Sequence, residues 1–367
     1  MCRPIRTFRH PSTPEGRFVR AQPDQGGRAP GQCVHVDVPA KINLFLAVRG
    51  RRHDGYHELT TVMQTVSLFD QLRVSITGPP GRGQHPATRR RMRVRLDDDG
   101  TAGLPVPRDN LAVLAAAVLG RATGLPDVCV DVSTNGTVRE APSREGPSHT
   151  VLVLRKGIPV AAGMAGGSAD AAAALLGLND LWDCGLSRDE LRDLAGDLGS
   201  DVPFCVVGGT ALCTGTGTQL ARVLCRGEFH WAVCTGGEPL GTAEVYRAWD
   251  RYCRSGEMEP DAVLHALRTG DAEALGAALH NDLESAAVVL RPELAGHKRA
   301  LLRAGALGAV VSGSGPCVAA LCGDAAAARA VAEEVRGRFA RVTTARSPVG
   351  GAAMQPCDQP QGHRSLQ

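Results

Sequence analysis

One segment constrains the fold of this chain more than any other. Pro159, Val160, Ala161, Ala162, Gly163, Met164, Ala165, Gly166, Gly167 and Ser168 run into Ala169, Asp170 and an alanine-rich stretch to Ala174. Upstream, the apolar run Val151 to Leu154 reads as a strand. Downstream, the residues from about Ser168 to Trp182 read as a helix. A strand therefore feeds a loop of small residues, and that loop opens a helix. Closely spaced glycines let the backbone approach a ligand and adopt unusual φ values. The first N–H groups of the helix have no internal acceptors, and its dipole favours negative charge there. The segment reads as a phosphate site, with the Ser168 hydroxyl at the helix start. The competing explanation is Gly/Ala drift in a chain with 44 glycines, with Ser168 as a simple N-cap. No Gly-Lys-Ser/Thr occurs, so this is not a Walker A loop.

The 367 residues allow about two domains, and 43% hydrophobic content can fill a sizeable core. Apolar stretches are broken well before the roughly 18 residues of a membrane span. Arg3, Arg6 and Arg9 are not followed by an apolar segment, which argues against a secretory signal. A net charge of +3 is too small to imply a nucleic-acid partner, and aromatics at 4% offer no stripe for stacking bases. The twelve cysteines form no CxxC pair and the eleven histidines no HExxH, so no metal ligand set is expected. Reduced thiols in a cytoplasmic protein are the expectation. Of 41 Lys plus Arg only Lys41, Lys156 and Lys298 are lysine. Lysine in an arginine-biased chain points to positions that need a compact ammonium.

Residues 1–33 and 347–367 are rich in turn-forming and polar residues and read as a disordered extension and tail. Between them the pattern changes near residue 228, giving an N-terminal domain at 34–227 and a C-terminal domain at 228–346. The first contains strands at Val34–Val38, Ile42–Val48 and Leu72–Ile76, and a helix over 108–122 capped by Asp109 or Asn110. The basic run Arg89 to Arg95, followed by Asp97, Asp98 and Asp99, reads as a solvated loop or hairpin. Residues 134–148 read as a surface insertion. The second domain runs strand, helices, hairpin, helix, strand, the order of a ferredoxin-like α+β domain.

Three further segments invite chemistry. Asp201 lies in Leu198-Gly-Ser-Asp201-Val-Pro203-Phe204, between a helix end and a proline. A carboxylate fixed there can accept a hydroxyl proton, or can bond its own turn. Lys41 opens a strand in Pro39-Ala-Lys41-Ile-Asn43-Leu44, either at a watery edge or facing a carboxylate or phosphate. Gly305 to Pro316 carries Ser312-Gly313-Ser314-Gly315, which a tight hairpin would explain; the pair Gly215 and Gly217 lacks the third glycine of a dinucleotide fingerprint.

In this order the segments resemble the GHMP kinases. Within that group, Pro39-Ala-Lys41-Ile-Asn43 followed by Arg52-His-Asp54-Gly55-Tyr56-His57-Glu58, and the Gly-Ser-Asp201-Val-Pro phrase, resemble the diphosphocytidyl-methylerythritol kinase branch. The resemblance spans about residues 36–345. It implies an α+β, two-domain GHMP kinase fold, with a ribosomal-protein-S5-like N-terminal α/β domain and a ferredoxin-like C-terminal α+β domain. It implies ATP as phosphate donor, with Mg²⁺ held mainly by phosphates and water, and a small-molecule alcohol as acceptor. It further implies that residues 159–168 hold the ATP phosphates, that Asp201 is the base, and that Lys41 positions the accepting hydroxyl. Asn43, Tyr56, His57, Thr242 and Tyr246 would line the pocket for the cytidine diphosphate part. A nucleobase needs an aromatic face and directional hydrogen bonds, which Tyr and His supply. Met164 for Leu and Cys317 for Thr depart from the family pattern. No nucleic-acid or membrane partner is expected, and the state expected is a monomer or weak homodimer. A kinase for another small alcohol, a silent nucleotide-binding regulator and an RNA binder are the competing functions; Asp54-Gly55-Tyr56-His57, the Lys41 and Asp201 pair, and the scarcity of aromatics argue against each in turn.

Overall fold

The computed structural model describes residues 33–77, 92–98, 109–125, 128–131, 149–253 and 257–355. Two long antiparallel strands form its spine, β1 (Cys33–Arg51) and β2 (His57–Thr77). The predicted shorter strands are pieces of these two. Register shifts at Pro39/Ala40, Asn43/Phe45 and Val48/Gly50 bend the pair, so that one ribbon serves two parts of the molecule. After β2 come β3 (Met92–Asp98), α1 (Leu111–Ala122), β4 (Val128–Asp131), β5 (His149–Arg155), α2 (Gly166–Leu181), α3 (Arg188–Ala195), α4 (Val202–Val207), β6 (Thr210–Gly215) and β7 (Gln219–Arg222). Next are β8 (Phe229–Thr235), α5 (Thr242–Tyr252), α6 (Asp261–Thr269), α7 (Ala272–Ala278), β9 (His280–Asn281), α8 (Leu283–Leu290) and α9 (Glu293–Arg303). Then β10 (Gly308–Val311), β11 (Val318–Cys322), α10 (Ala325–Val335), β12 (Arg341–Ser347) and β13 (Ala353–Gln355) close the chain.

The larger sheet runs β13-β1-β2-β5-β3-β4, with β6 also on β2, β7 on β6 and β9 on β1. Helix α2 lies between it and α1, so that the consecutive residues Ala171 to Ala174 are fully buried on every side. At Gly177 a Cβ would lie 2.7 Å from a Val74 methyl, so the helix approaches the sheet as closely as a side chain-free residue allows. Small residues here set the depth at which the N-terminus of α2 is held. The smaller sheet, β10-β11-β8-β12, carries α10 and α9 in the ferredoxin-like arrangement expected. No helix among the described residues is long and apolar enough to cross a membrane.

Several expectations change. The residues of the basic run from Met92 onward form β3, between β5 and β4, because their backbone pairs in parallel on both sides; they are not a loop. Gly215 and Gly217, both at positive φ, make the turn of a β6–β7 hairpin that the sequence reading missed. The tail does not begin at 347: the chain returns to the larger sheet, where β13 pairs with β1 and Gly350 bridges to Gly208. Arg188 anchors that return, donating to the Val206 and Ala352 carbonyls. Cys33 is disulfide-bonded, against the expectation that all thiols are reduced. Residues 1–32 and the 134–148 segment lie outside the described residues.

Candidate active site

Lys41 and Asp201 come together from opposite ends of the N-terminal half. Strand β1 carries Lys41 into the interior, where it is 4% exposed, and Asp201 heads the short helix α4 without capping it. Lys41 Nζ lies 3.5 Å from Asp201 Oδ2 and donates to Asn43 Oδ1 at 2.7 Å. Asn43 in turn donates to Thr61 Oγ1, which donates to the Phe45 carbonyl. Lys41 is therefore no watery edge residue; its ammonium is aimed by a relay that starts in β2. Asn43 spends its amide on that relay. Thr61 was not anticipated, and only its cross-strand place, two positions from the Asn43↔Met63 pair, could have singled it out.

The glycine loop is fixed from two sides. Lys41 N donates to the Met164 carbonyl at 3.2 Å, and Cys317 N to the Ala162 carbonyl at 3.2 Å. Ser312 Oγ donates to the Gly163 carbonyl. At Gly163, with φ +77°, a Cβ would sit 2.0 Å from the Ser312 carbonyl oxygen, so no side chain fits. Ala161 and Ala165 also take positive φ. The N-cap position of α2 is Ala165, with no side-chain cap and no acid in the first turn. The Ser168-as-cap explanation thus fails, and the N–H groups of Gly166, Gly167 and Ser168 stand at a helix start with no side-chain acceptor. Met164 and Ala162 are buried and support the loop from behind.

Beneath the loop lies a buried charge trio. Lys156 pairs with Asp70 and, at 2.7 Å, with Asp170. Asp70 also accepts from the N–H groups of Gly157 and Ile158. A Cβ on Gly166 would lie 3.3 Å from Lys156 Nζ, so this ammonium sits directly behind the first residue of α2. Burial pushes the Asp170 carboxyl up to about 8, beyond what the Lys156 charge takes back. Burial lowers the Lys156 ammonium, but Asp170 and Asp70 together outweigh it and hold it above its ordinary value.

The Ser312–Pro316 turn closes the site from the C-terminal half. Asn281 donates to the carbonyls of Val311 and Gly313, both at 2.7 Å, and pins that turn. A Cβ at Gly313 would lie 3.4 Å from Asn43 Oδ1 and 3.5 Å from Lys41 Nζ. The glycines here do more than make a hairpin: they bring backbone up to the lysine. Thr242 Oγ1 lies 3.2 Å from Ser314 Oγ, on the same turn. Asn281 carried no signal beyond lying in an Asn-Asp pair between helices.

His57 and Tyr246 meet in a second cluster. Their rings stack at 4.7 Å, and Trp249 meets His57 edge-on at 5.7 Å. His57 Nε2 lies 2.7 Å from Asp250 Oδ1. Tyr246 is partly buried, and desolvation pushes its phenol up, with the Asp201 charge adding to the effect. Tyr56 is 60% exposed and has no ring partner among the described residues. Trp249 and Asp250 were missed; their spacing of three and four from Tyr246 on α5 is the signal that could have found them.

Residues 136–209 match the GHMP kinases N terminal domain, and residues 263–341 match GHMP kinases C terminal. The chain is 47% identical over 325 residues to the 4-diphosphocytidyl-2-C-methyl-D-erythritol kinase of Nocardia farcinica, covering 87% of this chain and 95% of the relative. It is 43% identical over 336 residues to the Mycobacterium avium enzyme of that name, covering 89% and 95%. A crystal structure of 4-(cytidine 5'-diphospho)-2C-methyl-D-erythritol kinase superposes with a TM-score of 0.65 at 31% identity, over 86% of this chain and 100% of that one.

Proposed function

Because the chain belongs to the 4-diphosphocytidyl-2-C-methyl-D-erythritol kinase family of the GHMP kinases, we propose that it transfers the γ-phosphate of ATP to the 2-hydroxyl of 4-diphosphocytidyl-2-C-methyl-D-erythritol. That reaction belongs to the non-mevalonate (methylerythritol phosphate) route to isoprenoid precursors, and the enzyme works in the cytoplasm. The observation that carries the reading is the Lys41–Asp201 pair, 3.5 Å apart, on a strand whose Lys41 N–H also holds the glycine loop.

Phosphoryl transfer asks a protein mainly for position and charge. The open N–H groups at the start of α2 take the ATP phosphates, and the Lys156–Asp70–Asp170 trio supports that helix start from behind Gly166. Asp201 accepts the proton of the 2-hydroxyl. The hydroxyl oxygen bonds to the γ-phosphorus, the bond from that phosphorus to the β-bridging oxygen breaks, and ADP leaves with the electron pair. Lys41, aimed by Asn43, lies where charge gathers between acceptor and phosphate. Mg²⁺, held mainly by phosphate oxygens and water, would neutralise triphosphate charge. Tyr246, His57 and Thr242 hold the cytidine diphosphate part; Tyr56, exposed at the mouth, is free to cover the base.

The test is mass-spectrometric product analysis with Mg-ATP and the cytidyl substrate, with homoserine and mevalonate as controls. A monophosphorylated product from the cytidyl substrate alone is expected. Phosphorylation of a control at equal or greater efficiency would remove the substrate assignment and leave the kinase.

A further inference from the structure

We propose that Asp250 is a positioning residue that fixes the tautomer of His57 and so makes the pocket select cytosine over uracil. The inference rests on the reading above that this cluster receives the nucleobase.

Three side chains on one face of α5 hold a single imidazole that comes from the start of β2. Tyr246 stacks on it, Trp249 meets it edge-on, and Asp250 binds its Nε2 at 2.7 Å. The spacing 246, 249, 250 puts all three on one stripe of the helix. The His57 side chain is 9% exposed, so its ring is held in place and cannot turn freely. A carboxylate can only accept. In the neutral imidazole, Asp250 therefore claims the Nε2 proton, and Nδ1 is left with a lone pair. No protein group among the described residues takes Nδ1.

The two pyrimidines differ at position 4. Cytosine presents an amino group there, a donor; uracil presents a carbonyl, an acceptor. A fixed lone pair on Nδ1 attracts the first and repels the second, so one carboxylate outside the pocket supplies both the favourable contact and the clash. Without Asp250 the ring can carry its proton on either nitrogen, and the preference disappears.

Two measurements test this at a pH where imidazole is neutral. In the first, ¹⁵N NMR of the wild-type enzyme without substrate reads the His57 tautomer. Protonated Nε2 with bare Nδ1 is expected; the reverse tautomer overturns the proposal, whatever the substrate proves to be. In the second, the cytidyl substrate is compared with its uridyl analogue in Asp250→Leu and Asp250→Asn, the latter retaining a carbonyl acceptor. For Asp250→Leu the ratio of kcat/KM values, cytidyl over uridyl, falls about tenfold or more, the size of one directional hydrogen bond. The change lies in KM for the cytidyl substrate, with KM for ATP unchanged, and Asp250→Asn recovers most of the ratio. A folded Asp250→Leu enzyme with an unaltered ratio overturns the proposal, as does a parallel loss in both KM values, which is what a merely structural role would give. If wild type turns over neither nucleotide substrate, the functional reading fails, while the NMR result still judges the tautomer.

Discussion

At the scale of single residues, the site sets a buried ammonium, Lys41, 3.5 Å from the partly exposed carboxylate of Asp201. Lys41 is buried, and the Asn43–Thr61 relay gives it one orientation. Lys41→Met keeps much of the stem and removes the charge. We expect kcat to fall by about 10²–10³-fold, the usual loss for a fixed group that meets transition-state charge, with ATP binding nearly retained. Single-turnover assays alongside nucleotide titration check this. The trio of Lys156, Asp70 and Asp170 makes a different prediction. The Asp170 carboxyl is raised to about 8, whereas an unfolded Asp titrates near 3.9. Between those values the folded chain binds a proton that the unfolded chain has lost, so stability falls as pH rises from about 4 to about 8. Asp170→Asn copies the protonated acid and should flatten this part of the Tm profile. Parallel profiles for the two proteins would rule the account of Asp170 out.

Helices, strands and turns carry that chemistry to its place. The start of α2 is set by its small residues, packed between the larger sheet and α1, and the loop before it is set by Gly163. Gly163→Ala combines a strained positive φ with a Cβ 2.0 Å from the Ser312 oxygen. We expect a loss of about 2 kcal/mol or more in stability and a larger KM for ATP, measured by denaturant titration and steady-state kinetics. Much of this was legible in the sequence. The strand–glycine–helix pattern specified α2. Elements that escaped did so for physical reasons. The β6–β7 hairpin has a short second strand, and its glycines were weighed only as a failed dinucleotide fingerprint. Strand β3 is so rich in charge that composition spoke for solvent, while its place between two parallel neighbours is decided by tertiary pairing. The Asp201 and Lys41 pairing was visible only through resemblance, because 160 residues of chain separate the two.

Across the whole molecule, the two halves are stitched by more than the chain crossing near residue 228. Gln64 of the larger sheet accepts from Ser347 Oγ at 2.6 Å, and Ser347 accepts from the Trp231 indole of the smaller sheet at 2.7 Å. Just beyond Ser347 the chain returns to the larger sheet. Gly208 sits there at φ +67°, and a Cβ on it would lie 2.0 Å from Gly351 N. Gly208→Ala should lower Tm by roughly 5 °C or more and make the 348–355 segment easier to cleave, read by calorimetry and limited proteolysis. That return was hidden in the sequence, since Pro348, Gly350 and Gly351 look like a tail until the groove that receives them is known. The domain-closing contacts matter to function because Asn281 and the Gly313 turn reach Lys41 from the C-terminal half. The central claim is that Asp201 takes the proton from the hydroxyl that Lys41 positions. Asp201→Asn preserves shape and removes the base, so rapid-quench single-turnover rates measured beside ATP affinity address the claim most directly. The account predicts a rate lower by about 10²–10⁴-fold with ATP affinity unchanged. Turnover within a few-fold of wild type would contradict it.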